Sequence, residues 1–97
     1  MKDVISKEKI LKYLDITRLA MEKAAIIAPG SSHISEVAKD FFDMAGRYYS
    51  DANHFYDNDD YVNAFAAINY AHGWLDAGAR LGLFDVEEDH RLFTLAK

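Results

Sequence analysis

A chain of 97 residues with 51% hydrophobic and 28% charged side chains has the balance of one globular domain, not of a disordered segment. It contains no cysteine, which excludes disulfides and thiolate metal sites, and its net charge is -5. Residues 1–28 carry six bases against four acids and the remainder five against twelve, so no basic stripe forms for a phosphate backbone and no nucleic-acid partner is expected.

Met1-Lys2-Asp3-Val4 lacks the apolar core of a secretion signal. The longest apolar runs, 24–28 and 64–68, fall far short of the about 20 residues that span a bilayer. No membrane partner is expected, and the cytoplasm is the expected compartment.

Residues 3–28 read as a first helix. Ile10, Leu14, Thr17, Met21, Ala24 and Ala28 recur at steps of three and four, with Lys12, Asp15, Glu22 and Lys23 opposite. Leu11, Leu19 and Ile26 fall toward the charged side; a covering tail or a second subunit would account for them. Pro29 ends the helix, because the residue before a proline is pushed out of the α region.

A second helix is expected over 33–57, capped by Ser32 or Ser35. Ile34, Ala38, Phe41, Ala45, Tyr48, Ala52 and Phe55 alternate steps of four and three, as a bundle seam does. Asp57-Asn58-Asp59-Asp60 then makes a short connection, which implies an antiparallel neighbour. Asn58 or Asp59 is the expected cap of the next helix, with Asp60 in its first turn.

The third helix, 59–81, is apolar and rich in small residues such as Ala64, Ala67, Ala71 and Gly78. A helix apolar on most sides is expected to be buried on most sides. Gly82 suits a left-handed C-terminal cap. In the tail, 83–97, Asp85 and Glu88 have capping-box spacing, and Leu92, Phe93 and Leu95 predict that the tail packs back. The expected architecture is therefore all-α: an antiparallel up-and-down three-helix bundle with a short packed tail, in one domain over 1–97.

The sharpest chemical constellation is Asn69, His72, Asp76 and Arg80. Steps of three, four and four align them as one polar stripe on the apolar third helix. An imidazole beside a carboxylate and a guanidinium can grip an anion or a small ligand. The same spacing also serves a buried polar network that fixes helix pairing. Metal binding lacks ligands: Glu87-x-x-His90 occurs once, Asp51-x-x-His54 is a weak cousin, and no Glu lies on an apolar seam. No serine occupies a nucleophile elbow and no glycine-rich loop follows a strand, so no catalytic residue and no cofactor is implied. Tyr48, Tyr49, Tyr56, Tyr61 and Tyr70 gather around the second connection and are expected to be core residues with wet hydroxyls.

Two resemblances bear on function. The Arg47 and His54 spacing is similar to the signature of HEPN ribonucleases, which are helical bundles. Over Ala52 to Val86, the segments Asp60-Tyr61-Val62-Asn63-Ala64-Phe65, Tyr70-Ala71-His72-Gly73-Trp74-Leu75-Asp76-Ala77-Gly78 and Leu81-Gly82-Leu83-Phe84 resemble the archaeal domain of unknown function 357 family. That resemblance implies an archaeal source and a small three-helix bundle, and carries no assigned activity or site residues.

The expected function is a non-enzymatic helical interaction module, self-associating as a homodimer or docking a partner protein through its helix faces. The alternatives are a small-ligand or anion-binding domain using the third-helix stripe and, more remotely, a HEPN-like ribonuclease.

Overall fold

The computed structural model describes residues 4–26 and 33–85. Three helices follow one another: α1 (Lys7–Lys23), α2 (His33–Asp57) and α3 (Tyr61–Arg80). Two short strands, β1 (Ala25–Ile26) and β2 (Phe84–Asp85), follow α1 and α3 and pair antiparallel, Ile26 opposite Phe84. The fold is an all-α three-helix bundle in which α3 packs on both other helices, most extensively on α2. No described helix is long and apolar enough to cross a membrane.

The α2–α3 pairing follows from residue size. Ala38, Ala45 and Ala52 on α2, and Ala64, Ala71 and Gly78 on α3, are buried at seven-residue intervals. Small side chains on that period keep a helix face flat and let two backbones approach. The larger side chains fill the space beside α1. Ala20, Leu75, Leu83 and Phe84 build one end of the core, and Ile10, Leu14 and Ile68 the other.

Helix ends differ from the sequence expectations in informative ways. The α1 helix starts at Lys7, capped by Ser6, whose hydroxyl accepts from the Lys9 N–H at 3.1 Å. It stops at Lys23 and not at Ala28: Ala24 is extended (ψ 122°) and β1 begins at once. The strand partner at Phe84 supplies Ile26 with the pairing that a further helical turn would have replaced.

In α2, Ser35 is not a cap; it lies within the helix and is fully buried, whereas Ile34 is 57% exposed. A serine fits the small-residue face that continues Ala38 and Ala45, and an isoleucine does not. Ser32 lies outside the described residues. The cap of α3 is Asp60, and not Asn58 or Asp59. Asp60 Oδ1 accepts from the Asn63 N–H at 3.2 Å and Oδ2 from the Asn63 amide at 2.7 Å. Asp59 is instead the left-handed residue of the turn, with φ 59°.

The end of α3 matches its expectation. Gly82 adopts φ 75°, its N–H donates to the Ala79 carbonyl (3.1 Å), and the Leu83 N–H donates to the Gly78 carbonyl (2.9 Å). This pair of bonds is a Schellman motif. It turns Leu83 and Phe84 into the core, where both are buried. The expected packing of Leu92, Phe93 and Leu95 and the Asp85–Glu88 capping box reach beyond the described residues.

The expectation that α3 is covered on most sides is not met. Val62, Ala66, Asn69, Tyr70, Gly73 and Arg80 are exposed along one face. Two neighbouring helices can bury only two flanks of a third, so the composition of α3 exceeds what this bundle buries.

Candidate functional site

The polar stripe of α3 meets α1 at one point. Thr17 belongs to the apolar face of α1 and is 1% exposed, so its hydroxyl needs a partner inside the protein. That partner is His72: Thr17 Oγ1 lies 3.3 Å from Nδ1 of the half-buried ring. On the other side of the ring, Nε2 lies 3.6 Å from Asp76 Oδ1, an electrostatic contact longer than a hydrogen bond. Which of the Thr17 hydroxyl and the Nδ1 nitrogen donates depends on the tautomer of the ring. Threonine, imidazole and carboxylate thus form a line from α1 into α3.

This line forms part of the wall of a cleft of about 280 Å³ between the two helices. The α1 side contributes Tyr13, Ile16 and Thr17, and α3 contributes Ile68, Asn69, His72, Gly73 and Asp76. Apolar walls with a few convergent polar groups are the usual make-up of small-molecule sites, which start at about 300 Å³. Of the four stripe residues, His72 and Asp76 are brought together and Asn69 stands on the cleft wall. Arg80 is exposed and does not line the cleft.

Sequence reasoning did not select Tyr13, Thr17 or Gly73. Thr17 did carry a signal, as a hydroxyl on an otherwise apolar helix face. Gly73 carried another, as a glycine in the middle of a long helix. A Cβ built on Gly73 would meet nothing within 4 Å, so packing does not require glycine there. Glycine nevertheless costs a helix interior about 0.5–1 kcal/mol relative to alanine.

Gly73 and Asn69 also line a second, more apolar groove of about 370 Å³ on the α2 side of α3. Its remaining walls are Phe41, Tyr70, Trp74 and Ala77. Phe41 meets Trp74 edge-on at 4.9 Å, and Tyr70 stacks on Tyr48 at 5.3 Å. The five tyrosines therefore do not form one core cluster. Tyr48 and Tyr70 pair at this groove, where Tyr70 is 63% exposed, and Tyr56 and Tyr61 stack separately at 5.7 Å.

Arg47 and His54 are not brought together. They lie two helical turns apart on α2; Arg47 is ion-paired to Asp43 at 2.9 Å and faces an open groove of about 560 Å³ that His54 does not line. Among the described residues no three histidine, aspartate or glutamate side chains gather as a metal site; Glu87 and His90 are not among them. On α1, hydrogen bonds to Asp15 and Glu22 hold the Arg18 guanidinium above its ordinary pKa, on the solvent face.

Fold and site together define a three-helix domain with a mainly apolar cleft, carrying a few polar groups, between its first and third helices. The chain belongs to the DUF357 family, whose description is a protein of unknown function; the family model matches residues 12–84. That match spans the cleft and all three helices. No curated protein and no solved structure matches the chain.

Proposed function

We propose that this domain is a non-enzymatic binding module that holds a small polar ligand in the α1–α3 cleft. One observation carries the proposal: the Thr17–His72–Asp76 line stands in the wall of a cleft rather than in a sealed core. Arg80 stands outside the cleft, so the anion-binding form of this idea loses its permanent cation.

A small-fragment library followed by amide and imidazole NMR tests the proposal. Binding should shift Thr17, Asn69, His72 and Gly73 together and raise the melting temperature. A ligand at a hundred times its Kd contributes about 2.7 kcal/mol. Hits scattered over other faces, with none at these four residues, would refute it.

A second reading is self-association through α3, supported by the exposure of Val62 (70%), Tyr70 (63%) and Leu81 (66%) along that helix. Its occupant is a second copy of the chain, forming a homodimer. Light scattering over a dilution series decides it: a mass that stays at twice the monomer supports it, and a monomer at every concentration removes it.

A further inference from the structure

The solvent face of α3 carries a spacing that reads alike from both ends. Val62, Ala66, Tyr70, Gly73, Ala77 and Leu81 step by four, four, three, four and four, so they form one seam along the helix. All are exposed except Ala77, which is half-buried. Gly73, near the middle, weakens the helix, yet no neighbouring atom calls for it: a Cβ there would meet nothing within 4 Å.

Laid antiparallel on a second copy, about a two-fold axis between positions 71 and 72, the seam pairs with itself. Val62 then falls opposite the partner's Leu81, Ala66 opposite the partner's Ala77, and Tyr70 opposite the partner's Gly73. The largest side chain of the seam meets the position that has none, and the symmetry makes each match twice. Tyr70 is held in place for this contact by its stack on Tyr48 at 5.3 Å.

Charge selects the direction. The connection before α3 carries Asp57 and Asp59, both exposed, and the cap Asp60, whereas the last turn of α3 carries the exposed Arg80. Antiparallel packing sets Arg80 of each copy at the partner's acidic end and opposes the two helix dipoles. Parallel packing would set the two acidic connections side by side.

We infer that the exposed face of α3 takes a second copy of this chain, antiparallel, in the register that places Tyr70 against the partner's Gly73. This inference rests on the self-association reading and adds to it the direction and register of the pair.

The chain has no cysteine, so introduced thiols report the register. Ala66→Cys and Ala77→Cys, mixed in equal amounts and mildly oxidised, should give a linked dimer in which peptide mass spectrometry finds the bond between positions 66 and 77. Each variant alone should stay unlinked, because the same position in the two copies lies eleven residues, about 16 Å, apart along the axis. Gly73→Leu should keep its helical spectrum, since its side chain starts in open space, and weaken the dimer about tenfold or more in a light-scattering dilution series. Tyr70→Ala in that background vacates the facing volume and should restore much of the association.

A parent that is monomeric at every concentration overturns both this inference and self-association. A dimer in which Ala66→Cys links to its own copy overturns the antiparallel register and leaves self-association through α3 standing. A dimer that links in no mixture, with Gly73→Leu associating like the parent, puts the interface away from α3 and overturns both.

Discussion

Thr17 and His72 lie 55 positions apart and join α1 to α3 through a 3.3 Å contact between a buried hydroxyl and a half-buried imidazole. Thr17→Val keeps the shape and removes the hydroxyl. It leaves Nδ1 of His72 without that partner, at a cost of about 1 kcal/mol. Melting should fall by roughly 4–8 °C in a domain of this size. Thr17→Ser should retain the parent's His72 ring shifts. A valine variant with the parent's melting temperature and His72 spectrum would mean that the contact does not couple the helices.

Two glycines on α3 should respond to the same substitution with opposite sign. Gly73→Ala gains helix propensity and meets no atom, so stability should rise by about 0.5–1 kcal/mol. At Gly78 the new Cβ runs into the Phe84 ring, colliding hardest at Cε2 and reaching Cδ2 at 2.7 Å. Overpacking of this kind costs roughly 1–3 kcal/mol, more than the helix gains. Urea unfolding of both variants settles the signs, and Phe84→Leu in the Gly78→Ala background should recover part of the loss. Stabilisation at Gly78 would show that Phe84 yields freely.

The two left-handed residues that flank α3 make a second pair. Gly82 at φ 75° is conformationally relaxed, and Gly82→Ala should cost about 1 kcal/mol. Asp59 at φ 59° carries the penalty of a side chain in that region, and Asp59→Gly should recover up to about 1 kcal/mol. Thermal melts of the two variants should move in opposite directions. Equal shifts of one sign would contradict the assigned backbone at one of the turns.

The helices were legible because their apolar periods are long, and Gly82 marked the end of α3 because only one residue type suits that backbone cheaply. The boundary at Lys23 was not legible: Ala24, Ala25 and Ile26 keep helical spacing, and only pairing with β2, some 60 residues later, makes them extended. Burial of α3 was overestimated for a similar reason. Its composition states how much could be buried, while the number of neighbours decides how much is. At the candidate site, spacing along one helix aligned His72 with Asp76 but could not supply Thr17 from α1, nor show that Arg80 does not line the cleft.

Asp60 offers a test of how much of α3 depends on its first turn. Its two carboxylate oxygens hold the backbone N–H and the side-chain amide of Asn63, so one residue satisfies a donor that the helix cannot. Asp60→Ala should lose about 1 kcal/mol, and Asp60→Asn most of the charge-assisted part of that. Because Asn63 is exposed, the loss should be local and should leave the His72 signals, two to three turns away, unchanged. Hydrogen exchange would show it as faster opening at Asn63 and Ala64. Uniformly faster exchange through α3 would mean instead that the cap holds the whole helix against α2, and that the small-residue face alone does not.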